Sequence, residues 1–241
     1  MTEPRGKPSQ IACPNDVLRR MYASGQVLDA EGKPQPLRDA INPAYADALY
    51  RFVLQNKPRT VVEIGLSYGA STLGILTALR DGGSRGKLIS IDPFQNRYEK
   101  GIGLLNIKRA GLESLHEFIE KPSHAALPEL LAKGVQIDFS YVDGFHIFDY
   151  VLLDFFYLDK MTPPGGAIAF NDCGWRSIHR VIRFIRTHRK YEEVDVGLPS
   201  NYRGRNLFFS VARWLARRSN SDRYFRKVEN WEPDGNFFKS F

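Results

Sequence analysis

Hydrophobic and polar residues follow two different patterns along the middle of this chain. Short apolar runs, such as those at residues 60–65, 87–92 and 137–144, are typical of buried strands. Between them lie longer stretches in which apolar residues recur every three or four positions, as in amphipathic helices. Strands that alternate with helices predict right-handed crossovers and a mainly parallel sheet with helices on both faces.

The pattern predicts seven strands, at residues 60–65, 87–92, 115–121, 137–144, 165–172, 191–197 and 206–213. It predicts helices at residues 15–24, 41–56, 70–81, 125–134, 147–161 and 176–189, and a helical or mixed segment at residues 96–111. The last two strands have no predicted helix between them, so they should form an antiparallel hairpin at one edge of the sheet. The fold class is therefore α/β, a doubly wound and mostly parallel seven-stranded sheet with N-terminal helices.

Length and composition allow one domain of ordinary size with a sizeable core. The chain has 241 residues, of which 43% are hydrophobic, and this argues against disorder. We divide it into an N-terminal arm and helix at residues 1–40, a main domain at 41–215 and a C-terminal arm at 216–241. The arm at the C-terminus is rich in aromatic residues and arginine.

Charge and cysteine content bear on partners and compartment. The net charge is +7, and much of the excess lies after residue 175. Such charge attracts nucleic acid, anionic membrane or an acidic substrate, although solvated faces of amphipathic helices are the simpler explanation. Two cysteines make no disulfide framework, and no apolar stretch resembles a signal peptide or a membrane span. We therefore expect a soluble, cytoplasmic protein without a membrane partner.

Acidic residues stand at or near the ends of all five predicted core strands. In an open parallel sheet, ligands bind beyond the carboxyl ends of the strands. Turn chemistry also enriches Asp and Asn at strand ends, so the set is more informative than any single member. The acidic residues are Glu63, Asp92, Glu120, Asp143 and Asp172.

The stretch V-V-E-I-G-L-S-Y-G-A-S-T, residues 61–72, predicts a strand that enters a helix through a tight turn. Gly65 and Gly69 would let the backbone turn sharply and approach a ligand closely. The dinucleotide spacing G-x-G-x-x-G is absent, and no lysine follows Gly69 as a phosphate-binding P-loop requires. Ser71 and Thr72 could instead be plain helix caps.

One series of residues resembles the motifs of a known family. The series comprises Glu63, Gly65, Gly69, Asp92, Asp143 and the segment T-P-P-G-G-A-I-A-F-N-D at residues 162–172. These residues resemble the motifs of class I S-adenosylmethionine-dependent methyltransferases. The resemblance covers roughly residues 40–211. It implies a Rossmann-like sheet and S-adenosylmethionine as cofactor, with Asp92 at the ribose hydroxyls and Glu63 near the amino end. The implied cofactor-binding residues are Glu63, Gly65, Leu66, Ser67, Gly69, Ser71, Thr72, Asp92, Pro93, Pro122, Ser123 and Asp143.

The segment from Tyr141 to Trp175 also resembles a branch of metal-assisted small-molecule O-methyltransferases, of the macrocin and cephalosporin-biosynthesis type. That resemblance implies magnesium ligands at Asp143, Asn171 and Asp172. Asn171 departs from the pattern, because an amide oxygen brings no charge to the metal. Asn171 and Asp172 could instead only order their loop.

His146 offers a route that needs no metal. A neutral imidazole at this position could take the proton of an acceptor hydroxyl. Asp143 could act as the base in a metal site, and a structural role for His146 at a helix start is the ordinary alternative. Phe145 and Trp175 could line an acceptor site or simply pack.

The resemblance implies O-methylation of a small-molecule hydroxyl, in a natural product or a sugar, with Mg²⁺ as a possible second cofactor. Two other functions stay open at this point. One is a nucleic-acid methyltransferase, prompted by the basic C-terminal third, although no N-P-P-Y or D-P-P-Y segment is present. The other is a protein that kept the fold without the activity. A homo-oligomer is one possible assembly.

Overall fold

The computed structural model describes residues 11–83, 85–202, 204, 206–216 and 218–241. In chain order, helices α1 to α8 span Asp16–Ser24, Pro43–Asn56, Ala70–Asp81, Ile102–Arg109, Ser123–Ala132, Phe148–Met161, Arg176–His188 and Leu207–Leu215. Strands β1 to β9 span Gln26–Leu28, Pro34–Pro36, Thr60–Ile64, Lys87–Ile91, His116–Ile119, Phe139–Val142, Ala167–Phe170, Tyr191–Val194 and Arg223–Lys227. No helix in these ranges is long and apolar enough to cross a membrane.

Strands β3 to β9 form a seven-stranded sheet in the order β5-β4-β3-β6-β7-β9-β8. The pairs β4–β5, β3–β6 and β6–β7 are parallel, whereas β9 runs antiparallel to both β7 and β8. The predicted α/β fold, with a mostly parallel seven-stranded sheet and an antiparallel edge pair, is confirmed. Strands β1 and β2 form a separate small antiparallel hairpin that the hydrophobic pattern did not predict.

The prediction of a strand at residues 206–213 is wrong, because these residues belong to α8. The side chain of Asn206 accepts a hydrogen bond from Phe209 N and so caps the helix. The seventh strand is β9, in which Tyr224 and Phe225 are buried. The aromatic content of residues 206–213 suggested a strand, but the apolar positions continue at helical spacing to Leu215.

The chain divides into two compact units. The first unit comprises the residues up to 59 together with 66–120, and α2 packs against α3 within it. Asn15 joins its helices: Oδ1 caps α1 by accepting from Leu18 N at 3.0 Å, and Nδ2 donates to Thr77 Oγ1 in α3 at 2.8 Å. Because Asn15 is buried, both of these bonds lie away from water and fix α1 on α3.

The second unit comprises residues 60–65 and 121–241. It contains β3 and β6 to β9 with helices α5 to α8. Helix α7 buries one apolar stripe, formed by Ile178, Val181, Ile182 and Ile185, while its arginines lie mostly on the remaining surface. The amphipathic helix expected from the sequence is therefore present.

A buried ionic cluster ties α6 to the antiparallel strands of the second unit. The carboxylate of Asp159 accepts from Arg189 Nε at 2.8 Å and from the Tyr191 hydroxyl at 2.7 Å. The ammonium of Lys227 lies 2.9 Å from Asp159 Oδ1. The carboxylate is therefore matched by two cations, as a buried charge requires.

We expect Asp159→Asn to lower the free energy of unfolding by roughly 3–5 kcal/mol, because it leaves two buried cations without their carboxylate. Urea denaturation measures the change. Glu232→Gln is the matched control, since its ion pair with Lys160 is exposed and worth at most about 1 kcal/mol. Equal losses in the two variants would contradict the assignment of a stabilising role to the buried cluster.

Candidate active site

The turn between β3 and α3 depends on residues with positive φ. Gly65 has φ 93° and Gly69 has φ 83°, a region that glycine enters without steric cost. Ser67, between them, has φ 43° although it carries a side chain. Such backbone strain concentrates at functional sites.

Helix α3 begins after this turn without a side-chain cap. Its N-cap residue is Gly69, and no side chain bonds to the first turn. Ser71 and Thr72 lie inside the helix and are buried, so neither is the cap that the sequence allowed. The first N–H groups of α3 are therefore not satisfied by a capping side chain, and such groups attract anions.

Asp92 holds the turn in the first unit. Its Oδ2 accepts from Leu66 N at 2.9 Å and from Ser67 N at 3.0 Å, and its Oδ1 accepts from Phe94 N at 2.7 Å. The side chain is buried, with Pro93 half-buried beside it. A carboxylate has about four lone-pair sites, so Oδ1 retains capacity for a further donor.

Two amide side chains that the sequence analysis missed also hold this turn. Gln95, which is fully buried, donates from Nε2 to Ser67 O at 2.6 Å, and Asn106 donates to Tyr68 O at 3.0 Å. Oε1 of Gln95 has no hydrogen-bond partner among the described residues. The only signal in the sequence was the position of Gln95, three residues after the acidic residue at the tip of a strand.

In the second unit, β3 and β6 end in close backbone contact. Asp143 N donates to Ile64 O at 2.9 Å, and a Cβ on Gly65 would overlap the carbonyl oxygen of Asp143. Gly65 is therefore required by space as well as by its φ. Glu63 lies within β3 and is fully buried.

His146 lies between two of the predicted carboxylates. Its Nε2 is 3.4 Å from Asp143 Oδ1, and its Nδ1 is 3.6 Å from Asp172 Oδ2. Burial alone would lower the pKa of His146, but the bond to Asp143 and the charges of both carboxylates outweigh it and raise that pKa. Burial raises the pKa of Asp172, against the effect of the imidazole.

Asn171 faces a different partner. Its amide nitrogen donates to Asp222 Oδ1 at 2.9 Å, and Tyr141 donates its hydroxyl proton to Asp222 Oδ2 at 2.8 Å. All three side chains are buried, and burial raises the pKa of Asp222 well above its ordinary value. Asp222 was missed because it lies 51 residues from Asn171, in a region interpreted as an arm.

The three predicted magnesium ligands do not form one oxygen cage. Mg²⁺ requires oxygen ligands at about 2.0–2.1 Å in an octahedron. Here the imidazole of His146 lies between Asp143 and Asp172, so these two carboxylates face its nitrogens. The amide nitrogen of Asn171 bonds to Asp222, and only its uncharged oxygen is left as a ligand atom. The described part of the chain has no group of three or more His, Cys, Asp or Glu residues placed to hold a metal. As arranged, these residues do not fit magnesium.

Ser123 begins α5 and does not cap it, because Pro122 is the N-cap residue. Its side chain forms a hydrogen bond with Asp154 of α6, another residue that the sequence analysis missed. Asp154 is buried, and its Oδ1 has no partner in the described structure. Burial raises the pKa of Asp154 to about 7.

Exposed apolar side chains flank His146 in the second unit. Phe145, Ile147 and Trp175 are each half exposed, and the rings of His146 and Trp175 have centroids 5.3 Å apart. This surface offers apolar contact next to a titratable group, a combination that is common where enzymes bind small molecules.

Residues 62–173 match the family described as "Methyltransferase domain". Residues 62–173 are therefore identified as a methyltransferase domain. The cofactor-binding residues, the two candidate bases and the three candidate metal ligands all lie within the matched residues, whereas Trp175, Asp222 and α8 lie outside them.

Two curated relatives are similar to part of this chain. A flavonoid 3',5'-methyltransferase of Vitis vinifera is 32% identical over 127 residues, 51% of this chain and 50% of the relative. A caffeoyl-CoA O-methyltransferase of Stellaria longipes is 32% identical over 134 residues, 54% of this chain and 53% of the relative. The chain thus spans about half the length of the curated relatives it matches.

Solved structures share the fold. An O-methyltransferase from Bacillus cereus in complex with SAH has a TM-score of 0.63 and 18% identity, and the match covers 89% of each chain. The O-methyltransferase TomG from Streptomyces achromogenes, in complex with SAM, has a TM-score of 0.61 and 15% identity over 78% of this chain and 82% of that one. The predicted methyltransferase fold is thereby confirmed.

The buried carboxyl of Asp154 predicts a pH-dependent stability. Its folded-state pKa of about 7 exceeds the ordinary value of 3.8, so the folded state binds the proton more tightly than the unfolded chain does. Stability should therefore fall as pH rises from about 4 to about 7. We expect Asp154→Asn to raise the free energy of unfolding at pH 8, by up to about 4 kcal/mol, and to change it little near pH 4.

Urea denaturation at the two pH values measures this difference. Asp149→Asn, an exposed position on the same helix, is the control and should change stability little at either pH. An Asp154→Asn variant that is equally destabilised at both pH values would show that the carboxylate is stabilising in the folded state, against our expectation.

Proposed function

We propose that this protein transfers a methyl group from S-adenosylmethionine to a hydroxyl oxygen of a small molecule. The observation that carries the proposal is the glycine turn within the matched methyltransferase residues, held by the buried Asp92 at the start of α3. The turn leaves the N–H groups of α3 without a side-chain cap, as a site for a carboxylate requires.

In this proposal the first unit holds the methionine and ribose parts of the cofactor. The uncapped start of α3 receives the cofactor carboxylate, with Leu66, Ser67 and Gly69 close to the methionyl chain. Asp92 Oδ1 accepts a ribose hydroxyl, since a lone pair is left there. Contacts of the cofactor with Ser71, Thr72 and Pro93, and with Glu63, Gly65, Pro122, Ser123 and Asp143 of the second unit, stay predictions from the resemblance.

His146 is the proposed base. The hydroxyl oxygen bonds to the methyl carbon, the C–S bond breaks, and its electron pair stays on sulfur to give S-adenosylhomocysteine. The hydroxyl proton goes to His146, whose imidazole the two neighbouring carboxylates make more basic. The protein must also align the reacting atoms and exclude water. No step is assigned to magnesium, because its predicted ligands do not fit it.

A small, largely apolar or aromatic alcohol or phenol is the proposed acceptor. The apolar side chains of Phe145, Ile147 and Trp175 beside His146 suit such a molecule. The relatives named for flavonoids and caffeoyl-CoA support the same class, although the match covers only half of their length. The narrower macrocin and cephalosporin branch and a cytoplasmic location stay predictions.

We expect the wild-type protein to bind S-adenosylhomocysteine at micromolar concentrations. Asp92→Asn should weaken that binding roughly ten- to a hundredfold, because it replaces a charged hydrogen-bond acceptor with a neutral amide. Isothermal calorimetry measures it. Asp47→Asn is the control, because Asp47 also accepts two backbone N–H groups in the first unit. No micromolar binding to the wild type, or equal weakening in both variants, would overturn the cofactor assignment.

We expect His146→Gln to lower kcat roughly 10²- to 10⁴-fold with little change in S-adenosylhomocysteine affinity, because it removes only the proton acceptor. The measurement is S-adenosylhomocysteine release with a panel of phenolic and alcoholic acceptors. Activity of the wild type should persist in a divalent-metal chelator. Full activity in His146→Gln, or complete loss in chelator that added Mg²⁺ restores, would instead favour metal-assisted chemistry.

A further inference from the structure

Helix α8 presents an exposed apolar face that contains none of the residues proposed for the active site. The exposed fractions are 80% for Leu207, 74% for Phe208, 47% for Val211, 61% for Trp214 and 68% for Leu215. These positions share one side of the helix, because residues 207, 211, 214 and 215 and residues 208, 211 and 215 follow one another at the spacings of a single helix face. A contiguous set of large exposed apolar residues marks an interaction site.

The other side of α8 is fixed to the rest of the second unit. Arg213 donates to the carbonyl oxygen of Gly174 at 2.6 Å, and Ser210 Oγ accepts from Gly204 N at 2.8 Å. Phe209 also contacts Gly204 on this side. The polar and anchoring residues therefore face inward, and the apolar face of α8 is the one turned to solvent.

The segment around α8 is strongly basic. Between residues 196 and 221 the sequence has no acidic residue and five arginines, at Arg203, Arg205, Arg213, Arg217 and Arg218, of which Arg213 is held on the inner side of α8. In an isologous contact between two copies of this chain, the same basic segments would face each other and repel. Charge complementarity therefore favours a binding partner of the α8 face that is apolar in its interior and anionic at its surface.

We propose, against the expectation from the sequence that the protein has no membrane partner, that the apolar face of α8 docks on an anionic lipid bilayer. Leu207, Phe208 and Val211 enter the boundary between headgroups and acyl chains, and Trp214 lies at the headgroup level, where its amphipathic ring is favoured. The positive charge of the segment attracts the lipid phosphates. The helix lies in the plane of the interface and does not cross it, so the contact is reversible and depends on salt.

Vesicle flotation tests this docking with the full chain. The expected result is binding to phosphatidylcholine vesicles that contain about 30% phosphatidylglycerol and little binding to phosphatidylcholine alone. Raising the salt from about 0.1 to about 0.5 M should weaken binding, because the shorter Debye length screens the arginines from the lipid charge. Phe208→Ser combined with Trp214→Ser should lower binding at least tenfold.

Leu28→Ser combined with Phe156→Ser is the matched control, since both residues are exposed apolar positions outside α8, and it should bind like the wild type. Circular dichroism confirms that each variant is folded. The proposal is overturned if the protein does not bind the anionic vesicles, or if the control loses binding as strongly as the α8 variant. A dimer that the α8 variant dissociates, without vesicle binding, would assign the face to a second copy.

Discussion

The carboxylate of Asp92 accepts the backbone N–H groups of Leu66 and Ser67, and the conformation of the turn before α3 depends on these two bonds. A buried carboxylate is stable only when donors surround it, and a strained residue such as Ser67 persists only when its neighbours over-determine its conformation. Here the N–H groups of Leu66 and Ser67 are donors to the carboxylate of Asp92, and the same bonds hold Ser67 in its strained conformation. The side-chain amide of Gln95 also donates a hydrogen bond to the carbonyl oxygen of Ser67, so both backbone polar groups of Ser67 are held. The result is a rigid turn that leaves the start of α3 uncapped.

In the second unit, two of the strand-end carboxylates are arranged differently from the magnesium site that the resemblance implied. Asp143 and Asp172 each approach one nitrogen of His146, so their charges act on an imidazole. Asn171 is turned to the buried pair of Asp222 and Tyr141. Because methyl transfer from a sulfonium needs little more than alignment and removal of one proton, an imidazole made more basic by two carboxylates is chemically sufficient.

Local pattern was enough to predict most of the fold and the glycine turn. Helix α3 has the predicted bounds, Ala70–Asp81. The spacing of its apolar residues, the glycine turn and the strand before that turn all predict a helix at the same place. Residues 206–213 were misassigned because aromatic content suits a strand as well as a helix when the window is short. Gln95, Asp154 and Asp222 were missed for another reason. Their roles come from burial and from tertiary partners, and neither has a signature in a single sequence.

The segment after residue 173 lies outside the match to the methyltransferase family, yet it reaches the candidate active site twice. Asp222 holds the side chain of Asn171, and Arg213 holds the carbonyl oxygen of Gly174. Both contacts bear on the loop that carries Asp172, which has a positive φ of 52° and therefore needs support from its surroundings. Arg213 belongs to the same helix whose opposite side is apolar and exposed. The position of the Asp172 carboxylate beside His146 thus depends on Asp222 and Arg213, which lie outside the family match. A surface that covers α8 would contact the helix that carries Arg213.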